Sequence, residues 1–162
     1  MPGIEWMVTR GAETPAEREH WAGLAAAAGS SLAYVTLGRL ALDRGDLDAA
    51  RDWFTRGAQD DDREAMYQLG LLLLDADDVD GARRRLQEAA ALEHKDAADR
   101  LVALLEAQSP PDRGLADLWR SLFAATSDEQ EAFVARRLRA LYGRRGDEGL
   151  ARRLDQLAAG LG

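Results

Sequence analysis

The sequence predicts an all-helical solenoid, in which helical hairpins follow one another and each buries its apolar face against its neighbours. Three observations predict it. Side chains recur at a spacing of 32 residues: Trp21, Trp53 and then Arg85; Ala26, Ala58 and Ala90; Ala33, Ala65 and Ala97; Leu37-Gly38, Leu69-Gly70 and then Leu101-Val102. A fixed period of this size marks supersecondary units too small to bury a hydrophobic face alone. Apolar residues also return at three- and four-residue spacing along most of the chain, and alanine and leucine are in excess, which favours helix over strand. The expectation is about seven or eight helices and no sheet.

On this reading residues 1–13 form an N-terminal arm, 14–108 the repeat region, and 109–162 a C-terminal helical cap of the same domain. In the arm Ile4, Trp6 and Val8 suggest a short extended stretch, with Trp6 packed on the first helix. Thr14-Pro15-Ala16-Glu17 reads as a capping box with proline in the first turn, opening a helix from Pro15 to Ala28 that ends at Gly29. Ser31 to Arg44 is the next, with Tyr34, Leu37, Leu40 and Ala41 on one face. Gly45 takes the left-handed conformation that ends it, and Asp46 caps the following helix, which carries Ala49, Ala50, Trp53, Phe54 and Ala58. Ala50, and Ala82 one period later, belong in the close contact between paired helices. Asp60-Asp61-Asp62 turns the chain.

The unit then repeats. Ala65, Met66, Leu69, Leu72 and Leu73 lie along one helix, Asp77-Asp78-Val79-Asp80 turns, and Ala82, Leu86, Ala89 and Ala90 lie along its partner. Lys95 to Ala107 begins a third unit, and Ser109-Pro110-Pro111-Asp112 interrupts it because neither proline donates a helix hydrogen bond. Leu115, Leu118, Trp119, Leu122 and Phe123 then mark a helix with one buried face. Ser127 and Gln130 suggest a second capping box, opening a helix through Phe133, Leu138 and Tyr142; after Gly146-Asp147 a last helix runs through Leu150, Leu154 and Leu157.

The segment from Gly45 to Phe54, with Leu37-Gly38 eight residues before it, resembles the turn and second helix of a tetratricopeptide repeat. The return connection, Trp53-Phe54-Thr55-Arg56-Gly57-Ala58 followed by Ala65 and Leu69-Gly70, resembles a Sel-one-like repeat. Trp21, Ala25-Ala26, Gly29, Ala33 and Leu37-Gly38 fit the same pattern, so the likeness covers roughly residues 15–107. It implies a right-handed superhelix of hairpins acting as a protein-interaction scaffold. Asp77 in place of Gly45, and Val102 in place of glycine, depart from the pattern.

Composition narrows the chemistry. Cysteine is absent, so thiolate metal sites, thiol nucleophiles and disulfides are excluded, which suits a reducing cytoplasm. The start of the chain lacks a basic segment followed by an apolar run, so no secretory signal is expected, and no apolar stretch has the length of a membrane span. The alanine- and arginine-rich usage, with one lysine, suggests a bacterial coding sequence. His20 and His94 do not pair at metal-ligand spacing and read as surface residues, and Asp75–Gly81 lacks the sixth-position glycine and twelfth-position glutamate of a calcium loop. The two Arg-Gly-Asp tripeptides fall at interhelical turns. No phosphate loop, nucleophile elbow or dinucleotide fingerprint occurs, and a non-enzymatic protein without cofactor or metal is expected.

The expected function is therefore binding of a protein or peptide. In hairpins of this family the first helix of each unit lines the concave face, which the resemblance assigns to Val35, Arg39 and Leu42, to Tyr67, Gln68, Leu71 and Leu74, and to Asp99, Ala103 and Glu106. Leu71 and Leu74 stand out because the run Leu71–Leu74 covers more of the helix circumference than one hairpin needs. Two alternatives use the C-terminal end. Net charge is −8, but residues 112–162 carry 9 basic against 8 acidic residues. The cluster of Arg136, Arg137, Arg139, Arg144, Arg145, Arg152 and Arg153 could meet nucleic acid or an acidic partner, although the acidic repeats disfavour nucleic acid generally. A homodimer through the last hairpin is the other.

Overall fold

Every periodic segment of the sequence becomes a separate helix. The computed structural model describes residues 14–159, and the arm expected over 1–13, with Trp6, lies outside the described residues. Among them are nine helices and no strand: α1 Pro15–Ala27, α2 Ser31–Asp43, α3 Leu47–Gln59, α4 Arg63–Asp75, α5 Val79–Ala91, α6 Lys95–Ala107, α7 Arg113–Phe123, α8 Asp128–Arg144 and α9 Glu148–Ala159. That exceeds the expected seven or eight, because three-residue turns suffice to separate neighbouring helices. None of the described helices is long and apolar enough to cross a membrane.

The first six helices are each 13 residues long and begin at 15, 31, 47, 63, 79 and 95, one every 16 residues. The turn explains the regularity. Gly29, Gly45, Asp61, Asp77 and Glu93 all hold positive φ, between 59° and 83°. The next residue closes the ended helix by donating its backbone N–H to the carbonyl five residues earlier: Ser30 to Ala25, Asp46 to Ala41, Asp62 to Gly57, Asp78 to Leu73 and His94 to Ala89, at 2.9–3.1 Å. This is the Schellman arrangement, which satisfies carbonyls that a helix end leaves unpaired. The same residue then opens the next helix. Asp46, Asp62 and His94 accept the amides of Ala49, Ala65 and Ala97 at 3.1, 3.0 and 3.2 Å. At the start of the series the Thr14–Glu17 capping box forms in both directions. The box expected between Ser127 and Gln130 is half formed: Ser127 Oγ accepts the Gln130 amide, whereas the Gln130 side chain accepts from Thr126.

The chain divides into two compact units, Met1–Asp78 and Val79–Gly162. In the first, α1 packs on α2, α2 on α3 and α3 on α4, and α2 also meets α4. Its core holds Ala22, Ala25, Ala33 and Leu37 with Trp21, Ala26 and Trp53 against them. Tyr34 stacks on Trp53 with ring centroids 6.1 Å apart, and the Arg56 guanidinium lies 4.8 Å from the same indole centroid. Ala50 is fully buried, as its place between paired helices requires. Two glycines let helices approach: a Cβ on Gly38 would overlap the Phe54 ring, and one on Gly57 would lie 2.5 Å from the Ala65 Cβ.

In the second unit consecutive helices from α5 to α9 pack pairwise, and α9 returns to α5. Ala82, Leu86, Leu101, Leu105, Trp119, Leu138 and Leu154 are fully buried. Within this apolar interior sits one polar group of three. Gln87 Nε2 donates to the Tyr142 hydroxyl at 2.8 Å, and Trp119 Nε1 donates to it at 3.0 Å. Burial pushes the Tyr142 phenol up to about 12, against the opposing effect of those hydrogen bonds. Past the proline break, Asp112 caps α7 through the Leu115 amide and pairs with Arg145 at 2.8 Å.

Candidate functional site

The candidate residues of the first unit lie on α2 and α4, the first helices of their sequence hairpins. On α2, Val35, Arg39 and Leu42 converge on one cavity of 440 Å³. Val35 is buried at 4% exposure and Leu42 is half-buried. With Leu32 and Leu40 they give the cavity an apolar lining. Its polar lining comes from Thr36, Asp43, Arg39 and Arg18, the last from α1. Val35, Arg39 and Leu42 stand at i, i+4 and i+7 along α2 and meet here because that spacing places them on one helix face.

Arg39 does not project alone. Its guanidinium pairs with Glu64 of α4 at 2.6 Å, and Glu64 also accepts from Gln68 Nε2 at 2.8 Å. The three residues therefore tie the exposed face of α2 to that of α4. The Arg39 side chain remains 57% exposed, and an exposed pair of this kind contributes about 0–1 kcal/mol to stability. Such a weak tie leaves the guanidinium able to exchange Glu64 for an incoming carboxylate. Tyr67, Leu71 and Leu74 of α4 are each half-buried, while Leu72 is buried at 9% exposure.

In the second unit Asp99, Ala103 and Glu106 are exposed on α6. Both acids are already paired, Asp99 with Lys95 at 3.1 Å and Glu106 with Arg120. Much of the C-terminal arginine cluster is also engaged. Arg139 pairs with Asp155 at 3.1 Å, Arg152 donates to the Glu148 carbonyl at 3.2 Å, and Arg137 lies 5.8 Å from the Phe133 ring centroid. Among the described residues no group of three histidine, aspartate or glutamate side chains is placed to hold a metal ion.

His94 departs from its reading as a plain surface residue. It is half-buried, and its Nδ1 caps α6, so the ring nitrogen that accepts the Ala97 amide carries no proton. The signal was in the spacing: position 94 falls 32 residues after Asp62 and 48 after Asp46, both capping residues. Arg18 had no such signal, because its place beside α2 depends on how α1 packs. Compared with known proteins, the chain matches no family model, no curated protein and no solved structure.

Proposed function

We propose that the chain is a non-enzymatic binding module of the tetratricopeptide or Sel-one-like kind, a right-handed series of hairpins that takes a peptide or a helix on the face of its first helices. The observation that carries this reading is the cavity on α2. Val35, Arg39 and Leu42 share an apolar floor with a charged rim, a lining suited to one apolar side chain of a ligand and a polar group beside it. The Arg39–Glu64–Gln68 link supports extending the surface to α4, where Tyr67 and Leu71 are the anchor candidates. The 16-residue spacing of six helices supports the repeat kinship. The cysteine-free composition supports a cytoplasmic setting.

Peptides selected from a random library on the immobilised protein test the reading. Affinities of the selected peptides are then measured for the wild type, for Leu42→Asp, for Arg39→Glu and for the Tyr67→Ala, Leu71→Ala double variant, with helical content checked by circular dichroism. Loss of a buried anchor corresponds to about tenfold or more in affinity. Selected peptides that bind all four proteins equally would place the binding surface elsewhere.

A further inference from the structure

The second unit contains a polar cleft of 190 Å³ with an unusual lining for an acidic chain. Arg83, Arg84 and Gln87 reach it from α5, Tyr142 from α8, and Arg145 from the turn that follows α8. Asp80 and Asp147 also line it, but both are engaged: Asp80 with Arg83 at 2.8 Å, and Asp147 with the Leu150 amide at 3.1 Å as the cap of α9. Arg145 pairs with Asp112 outside the cleft lining. Among the described residues Arg84 has no acidic partner. The bottom of the cleft is polar as well, since Gln87 and Tyr142 are buried at 6% and 3% exposure and bonded to one another.

We infer that this cleft binds a small phosphate-type oxyanion, held by Arg84 with Arg83 and Arg145 beside it. Forked guanidinium donors match the oxygens of a phosphate group: Arg84 supplies the guanidinium without an acidic partner, and Arg83 and Arg145, paired with Asp80 and Asp112, can turn their remaining N–H donors to the same anion. The volume agrees. At about 30 Å³ per water the cleft holds about six waters' worth of space, enough for phosphate or a short phosphomonoester. It lies below the roughly 300 Å³ at which sites for larger organic ligands begin. Outside the cleft, the direct hydrogen bond from Arg145 holds the Asp112 carboxyl below the usual carboxylate range, with smaller contributions from the Leu115 amide and from Arg83. This site belongs to the second unit and does not rest on the peptide-binding reading.

Trp119 supplies the readout, because its indole N–H donates to the same Tyr142 hydroxyl that lines the cleft. Nitrogen-15-labelled protein is titrated with inorganic phosphate, with chloride at matched ionic strength as control. The Trp119 indole resonance should shift to saturation while those of Trp21 and Trp53 stay in place. Arg84→Gln, at an exposed position, should keep the spectrum and weaken phosphate binding by about tenfold or more. Glycerol phosphate distinguishes the sources: tighter binding than inorganic phosphate marks a monoester, weaker binding the free ion. No saturable shift, an equal shift with chloride, or unchanged affinity in Arg84→Gln would overturn the proposal.

Discussion

The ring of Phe54 fills the space a side chain on Gly38 would need. Gly38→Ala should therefore destabilise the protein by about 1–3 kcal/mol through overpacking. Combining it with Phe54→Leu should recover part of that loss, a coupling that a double-mutant cycle in denaturant reads directly. Strict additivity of the two changes would show that the contact does not limit helix approach.

Tyr142 predicts a loss of stability in alkali. Its phenol lies at about 12 in the folded chain, above the ordinary value of 10, so folding favours the neutral form. That stability is fully present below pH 10 and is lost as pH rises toward 12, because the unfolded chain ionises first. The loss approaches about 3 kcal/mol. Tyr142→Phe should be less stable at neutral pH, since it leaves the Gln87 and Trp119 donors unpaired, yet it should lack the alkaline slope. Parallel pH profiles for the two proteins would contradict the assignment.

The cap of α6 is open to the same kind of test. Replacing His94 by alanine removes the acceptor for the Ala97 amide and should cost about 1 kcal/mol. His94→Asp installs the residue that Asp46 and Asp62 already use and should keep the wild-type stability. Equal melting of the alanine and wild-type proteins would mean the imidazole cap contributes nothing.

Glu93 is the least suited of the six left-handed residues among those described, with φ of 62° and no short polar side chain to ease the conformation. Its charge also helps raise the Glu131 carboxyl, behind the larger effect of burial. Glu93→Gly should stabilise the protein by about 0.5–1 kcal/mol after allowing for glycine's greater freedom when unfolded. Gly45→Ala should do the reverse by a similar amount. Chemical denaturation of both variants measures the pair.

The helical periods, Gly29, Gly45, Asp46 and the proline break were all legible, because each acts on its own neighbourhood in the chain. The match of tryptophans and alanines at 32 residues hid the finer step of 16, since consecutive helices share their ends but not their buried faces. At the candidate site, the resemblance to helical repeats grouped Val35, Arg39 and Leu42, and these three line one cavity. It gave no warning that Glu64 would hold Arg39, nor that Gln87, Trp119 and Tyr142 would meet. Gln87 and Tyr142 stand 55 residues apart, and only the return of α9 and α8 onto the unit brings such positions together.

The shared turn residue limits how this gene can change length. Because Asp46, Asp62 and His94 each finish one helix while starting the next, these three joints have no slack to absorb an extra residue, and an insertion there must break one of the two caps. Excising 16 residues keeps the spacing of the joints but takes every later helix out of the 32-residue register in which Trp21 and Trp53, and Ala26, Ala58 and Ala90, recur. Excising 32 preserves both the joint and that register, so the smallest edit the sequence pattern tolerates is two helices long.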